Sequence, residues 1–127
     1  MANEIFVFGS NLAGIHGAGA AYYARVEHGA VMGQGIGLQG SSYALPTKDR
    51  NITTLPLKTI RYCVEDFINF AATHPEMSFK VTRIGCGLAG YSDCMIAPMF
   101  NEAPKNCQFD RAWHEYLGDK FTYWGTL

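Results

Sequence analysis

Along the chain, short unbroken apolar runs alternate with longer stretches in which apolar residues return every three or four positions, and glycine-rich segments separate the two kinds. Ile5-Phe6-Val7-Phe8 is a run of the first kind and predicts a strand buried on both faces. Ala20 to Val26 is built of good helix formers and stops at His28-Gly29, which predicts a helix. Ser42 to Leu45 is extended again, with Pro46 marking the strand's end. The strongest helical signal is the stripe Leu57, Ile60, Val64, Phe67 and Ala71, which begins behind Pro56 and stops at His74 before Pro75. Phe79 to Ile84 predicts a further strand. Ser92 or Asp93 caps a short helix through Ile96 that Pro98 limits. Asp110 to Leu117, closed by Gly118, predicts the last helix, and Phe121 to Trp124 the last strand. "MGQGIGLQG", 32–40, has no usable period and reads as a loop with freedom to move.

Strands alternating with helices predict a single three-layer α/β/α domain, residues 1–127, with a central mixed sheet. A chain of 127 residues that is 48% hydrophobic and 13% aromatic has enough apolar material for one real core and too little length for two. In such sheets ligands bind beyond the carboxyl ends of strands, and two glycine segments lie at such ends: "GSNLAGIHGAGAA", 9–21, and "GCGLAGY", 85–91. Two stretches of bare backbone facing one another can offer N–H groups to an anion such as a pyrophosphate.

Charge narrows the choice of partners. A net charge of −1 and a pI near 6.4 leave no basic field for non-specific nucleic-acid binding. No apolar stretch is long enough to span a bilayer and MANEIF lacks the pattern of a signal peptide, so a cytoplasmic location without a membrane partner is expected. Cys63, Cys86, Cys94 and Cys107 form no CxxC pair and have no matching HxxxH, which points to reduced thiols used as small apolar residues rather than to zinc or redox chemistry. Only Cys86 lies in a glycine segment.

"GIHGAG", 14–19, spells GxxGxG rather than GxGxxG, and no acidic residue follows a second strand as a dinucleotide fold requires. GxxxxGK[ST] and GxSxG are also missing, which argues against a P-loop ATPase and a serine hydrolase. Nothing in the sequence calls for a cofactor. Taken alone, the glycines have a plain structural reading as turn and packing residues.

"GSNLAGIHGAGAA" after an early strand, "ALPTKDR" at 44–50 and "IGCGLAGY" after a late strand together resemble the macrodomain family of ADP-ribose-binding α/β/α modules. The resemblance covers about residues 5–100. It is nearest to the branch that removes ADP-ribose from DNA bases or acidic side chains. It implies that ADP-ribose or an ADP-ribosylated substrate is the partner, with Gly9, Asn11 and Leu12 in the first loop and Asn11 at the distal ribose. It further implies that Gly17, Ala18 and Gly19 form the turn approaching that ribose. Gly85, Cys86, Gly87, Leu88, Ala89, Gly90 and Tyr91 would form the phosphate-binding loop, and Lys48 matches the lysine some members use for catalysis. Two departures stand out: no aspartate follows the first strand near Phe8-Gly9-Ser10, and Ala89 stands where part of the branch carries a catalytic aspartate.

A lysine that attacks the anomeric carbon must first give up its proton, to which a neighbouring cation such as Arg50 would contribute and which a bound pyrophosphate would oppose. Asp49 reads as a turn residue, His16 as a loop histidine without a recognisable partner, and Tyr91 as a core or rim aromatic, each ahead of a role in chemistry. Cys86, between two glycines that supply no base, reads as a backbone contributor. Three functions stay open on sequence: an ADP-ribosyl glycohydrolase, a non-catalytic nucleotide-binding or sequestering module, and a small interaction protein whose glycine loops are purely structural.

Overall fold

The computed structural model describes residues 3–127. Six strands form one sheet in the order β2-β3-β1-β4-β5-β6, where β1 is Glu4–Asn11, β2 Gly37–Gln39, β3 Ser42–Lys48, β4 Ser78–Val81, β5 Cys107–Asp110 and β6 Thr122–Gly125. All neighbouring pairs run parallel except β2 with β3, so the sheet is mixed with one antiparallel edge. Helices cover both faces, giving the three-layer α/β/α arrangement.

Alternation in β1 divides the core. Ile5 and Val7 point to one side, where they join Leu45, Phe79 and Phe109 beneath helix α2, Leu57–Ala72. Phe6 and Phe8 point to the other, where with Ala44 they meet Ala21 and Ala24 of helix α1, Gly19–Glu27. The predicted stripe on α2 is the buried one: Ile60, Val64, Phe67 and Ala71 are all inaccessible, with Leu57 partly buried at its start. A short helix α3, Asp93–Ile96, runs into a 3-10 turn, Ala97–Phe100, that contains Pro98. Proline at the start of that turn loses no hydrogen bond it would otherwise make.

Several boundaries differ from the sequence reading for identifiable reasons. β1 continues through Gly9, Ser10 and Asn11, so these are strand residues held by Leu45, Pro46 and Lys48 of β3 rather than loop residues. β3 runs through Pro46, which the sheet tolerates because β2 pairs with β3 only as far as Ala44. β4 ends at Val81, where Thr82 turns aside and its N–H and hydroxyl both donate to the Val7 carbonyl, at 3.1 and 2.7 Å. The predicted helix from Asp110 to Leu117 is instead the end of β5, a 3-10 turn over Arg111–Trp113 and a single helical turn α4, His114–Leu117. Asp110 accepts from the Ala112 N–H at 2.9 Å and so caps that turn. β2 and β5 were not legible: β2 is three residues inside a glycine-rich segment, and two of the four residues of β5, Gln108 and Asp110, are polar.

The 32–40 segment is packed rather than free. Gly33 donates to Gly14 at 2.8 Å, and a Cβ on Gly35 would stand 2.2 Å from the Asn11 carbonyl oxygen, so backbone lies on backbone here. Gly35 and Gly40 serve close approach, whereas Gly33 and Gly37 supply positive φ in open space.

Candidate functional site

β3 and β4 lie on either side of β1: the chain leaves β1 through α1 towards β3 and crosses back through α2 to β4, and such a reversal of strand order opens a crevice at the carboxyl ends of these strands. A cleft of about 610 Å³ occupies that position, within the range of small-molecule sites. Its floor is Gly9, Ser10, Asn11, Thr47 and Thr82 at the strand ends, and its walls are the two glycine loops. The register of β1 against β3 slips between Ser10 and Asn11. Such irregularities re-aim side chains next to sites, and this one lets Asn11 face Lys48.

The first wall is the turn into α1. Gly17, Ala18, Gly19, Ala20 and Ala21 line the cleft, Ala18 provides no side-chain cap, and no acidic residue lies in the helix's first turn. Among the described residues the N–H groups of Gly19, Ala20 and Ala21 donate to nothing. They leave a positive helix end uncompensated towards the cleft. The second wall is the loop after β4. Gly90 donates to Gly87 at 3.0 Å and Tyr91 to Gly85 at 2.9 Å, whereas the N–H groups of Gly85, Gly87, Leu88 and Ala89 have no acceptor among the described residues. Thr54 holds this loop by donating to the Ala89 carbonyl at 3.0 Å.

The side chains follow the same sign. Lys48 lines the cleft from the end of β3, Arg83 from beyond β4, and no Asp or Glu side chain is among the lining residues described, although Leu127, which carries the chain's terminal carboxylate, is. Arg83 is a fork on Asp93, with Nε donating at 2.8 Å and Nη2 at 2.5 Å, and Trp113 Nε1 donates to the same carboxylate at 2.7 Å. Lys48 has no ion pair among the described residues. It is therefore, among the described lining residues, the cation left without an ion pair, Arg83 being engaged by Asp93.

The Arg83 fork, followed by the Trp113 bond, holds the Asp93 carboxyl at about 2, below its usual 3.8. A depressed carboxyl stabilises the fold above its unfolded value, and the contribution disappears as pH falls from about 4 towards 2. Discounted for the partial exposure of the pair, Asp93→Asn is expected to cost about 1–2 kcal/mol at pH 7 and little at pH 2. Denaturant midpoints of parent and variant at the two pH values measure it, and an undiminished difference at pH 2 would show that the carboxylate is not its source.

Most of the residues picked from the sequence line this cleft: Gly9, Asn11, Gly17, Ala18, Gly19, Lys48, Gly85, Cys86, Gly87, Leu88 and Ala89. Leu12, Gly90 and Tyr91 do not. Leu12 is held away by its N–H bond to Lys48 at 2.9 Å, Gly90 sits in the loop's return, and Tyr91 packs on the core and donates to the Leu55 carbonyl at 2.8 Å. Asn11 is already engaged, accepting from the Ile15 N–H at 3.0 Å and donating to the Ile15 carbonyl at 2.8 Å. One N–H and one lone pair remain for a ligand, so its first task is to shape the loop.

His16 is 0% exposed, bonded through Nε2 to the Gln34 carbonyl at 3.0 Å and edge-on to Phe8, and it does not reach the cleft. Asp49 accepts from Asn51 and Thr53 N–H groups at 2.8 and 3.0 Å, a turn residue as its neighbours suggested. Arg50 is exposed on the same turn and does not line the cleft. Burial pushes the Cys86 thiol up to about 12, which leaves no thiolate at neutral pH. Sequence reasoning missed Thr47, Thr82, Arg83, Tyr23 and Ile52, which enter only because strand ends and loops converge here.

No family model and no curated protein matches the chain. Among solved structures, a protein of unknown function from Bacteroides thetaiotaomicron superposes with a TM-score of 0.55 at 16% identity, over 99% of this chain and 88% of its own. A structural-genomics target from the same organism gives a TM-score of 0.49 at 19% identity, over 80% and 82% of the respective chains. The first similarity is one of fold. No helix of the described chain is long and apolar enough to cross a membrane.

Proposed function

We propose that this protein binds ADP-ribose or a related NAD-derived nucleotide in the cleft between its two glycine loops, and that Lys48 carries any chemistry performed on it. The observation behind this reading is the one-sided polarity of the cleft. Unpaired N–H groups from a helix start and from the opposite loop, together with a lysine outside any ion pair among the described residues, meet across a space that no described Asp or Glu side chain lines. Such an array suits a diphosphate, since each phosphate oxygen can take a backbone donor without any basic patch elsewhere on the surface. The motif resemblance supplies the rest of the ligand, and the cleft's volume is compatible with it.

ADP-ribose is expected to raise the melting temperature in a concentration-dependent way, approaching about 2.7 kcal/mol of stabilisation at a hundred times its dissociation constant. No shift at millimolar nucleotide would contradict the reading and favour purely structural glycine loops.

Lys48 separates binding from turnover. If its deprotonated amine attacks the anomeric carbon, the bond to the modified base or carboxylate breaks with its electrons leaving on that group, and water then releases ADP-ribose from the lysine; Lys48→Ala should hold ADP-ribose within about tenfold of the parent, because backbone donors carry the diphosphate. The variant should also no longer release ADP-ribose from modified single-stranded DNA or modified protein. Parent-like turnover in Lys48→Ala would remove the lysine from the chemistry. A parent that turns over neither substrate would make the protein a binding module.

A further inference from the structure

Residues 49–53 form a tight loop whose ends meet at the bridge between Lys48 and Thr54. Asp49 donates to the Thr53 carbonyl at 2.8 Å, and Ile52 donates to the Asp49 carbonyl at 3.1 Å. In a loop of this shape the residue after the turn adopts the left-handed conformation, and glycine or asparagine is the residue that takes it without strain. Here it is Ile52, at φ 62°, the one non-glycine residue with positive φ among those described. A β-branched side chain is the least suited to that backbone. The side chain does not recover the cost by burial either, being 42% exposed.

That strained, exposed isoleucine lines the cleft, four residues along the chain from Lys48. Four other exposed apolar residues line it, Tyr23 from α1, Leu127 from the end of the chain, and, from the two glycine-loop walls, Ile15 at 52% and Leu88 at 71%. Three separate loops thus each contribute an exposed aliphatic side chain to the lining of a cleft that also carries unpaired N–H donors. Strain held at a ligand cleft without any folding benefit points to a benefit in binding.

We infer that Ile52 is a specificity residue: with Ile15 and Leu88 it forms an apolar collar that closes on the neutral ring at the far end of the nucleotide, beyond the diphosphate. This rests on the nucleotide reading given above. The collar selects a diphosphate that carries an uncharged sugar or ring over one that ends in phosphate. An aliphatic face packs on the carbon face of a ring and offers nothing to a terminal anion, whose hydration it would strip without replacement.

The experiment is calorimetric titration of ADP-ribose and of ADP into the parent, Ile52→Gly and Ile52→Asn, beside thermal melts of each. Both replacements fit the backbone, so the melting temperature should stay level or rise. Affinity for ADP-ribose should fall about tenfold or more in both variants, while affinity for ADP, which lacks the distal sugar, stays within about twofold of the parent. Parent-like ADP-ribose affinity in both variants would overturn the inference and leave the nucleotide reading standing, as would equal losses on ADP and ADP-ribose, which would make Ile52 a loop-shaping residue only. A parent that binds neither nucleotide would remove the nucleotide reading itself, and the collar with it.

Discussion

Gly17→Val and Gly87→Val are each expected to fold and melt like the parent and to lose ADP-ribose affinity by at least about 100-fold, close to 2.7 kcal/mol of binding free energy. The two glycines are informative because the protein itself does not need them. A Cβ on Gly17 would meet only the Ile15 side chain, at 3.9 Å, and a Cβ on Gly87 would meet nothing within 4 Å. Neither has a positive φ. Both line the cleft, one in each wall, in the stretches whose N–H groups lack acceptors. A branched side chain there takes up the space through which a phosphate reaches those donors. Gly19 would be a poorer choice, since at φ +59° any side chain strains the backbone and confuses folding with binding. Melting curves and titrations on the same preparations decide the matter: variants that bind ADP-ribose as the parent does would take the glycine loops out of the site.

Gly35→Ala is expected to do the reverse, lowering the melting temperature by about 10 °C through a loss near 3 kcal/mol, while Gly87→Ala leaves it unchanged. The added methyl would lie 2.2 Å from the Asn11 oxygen and 3.0 Å from the Leu12 Cα, both backbone atoms that cannot swing aside. This contact matters to the site because it braces the first loop from behind. Asn11 clasps Ile15 in front, while Gln34 and Gln39 bind the buried His16 behind. Loop one is thereby fixed before a ligand arrives, which spares the ordering cost on binding. A Gly35→Ala protein with parent stability would mean that the 32–40 segment is free to move after all.

The parts of this protein that its sequence made legible are those in which one physical pressure dominates. Ile5 to Phe8 and the stripe from Leu57 to Ala71 stood out because burial alone sets their pattern, and both occupy the predicted faces. The cleft was legible to the extent that two glycine segments both follow strands, although each alone reads equally as turn and packing residues. β2 was hidden because three residues inside a glycine-rich segment carry no period, and β5 because half of its four residues are polar, with Asp110 spent on capping the next turn. His16 and Tyr91 look alike in sequence whether they face a ligand or the core, and only tertiary contacts send both inward. Arg83 and Ile52 were invisible for a different reason. The first depends on a carboxylate ten residues away, and the second on a backbone angle that its side chain ordinarily avoids.

Calorimetric titration of the parent with ADP-ribose, run beside AMP and NAD, puts the whole reading at risk in one measurement. A donor-lined cleft built for a diphosphate with a neutral sugar beyond it predicts one site per chain for ADP-ribose, with AMP, which lacks the second phosphate, at least about tenfold weaker. Equal affinity for AMP and ADP-ribose, or no heat from either with a folded protein, would contradict it.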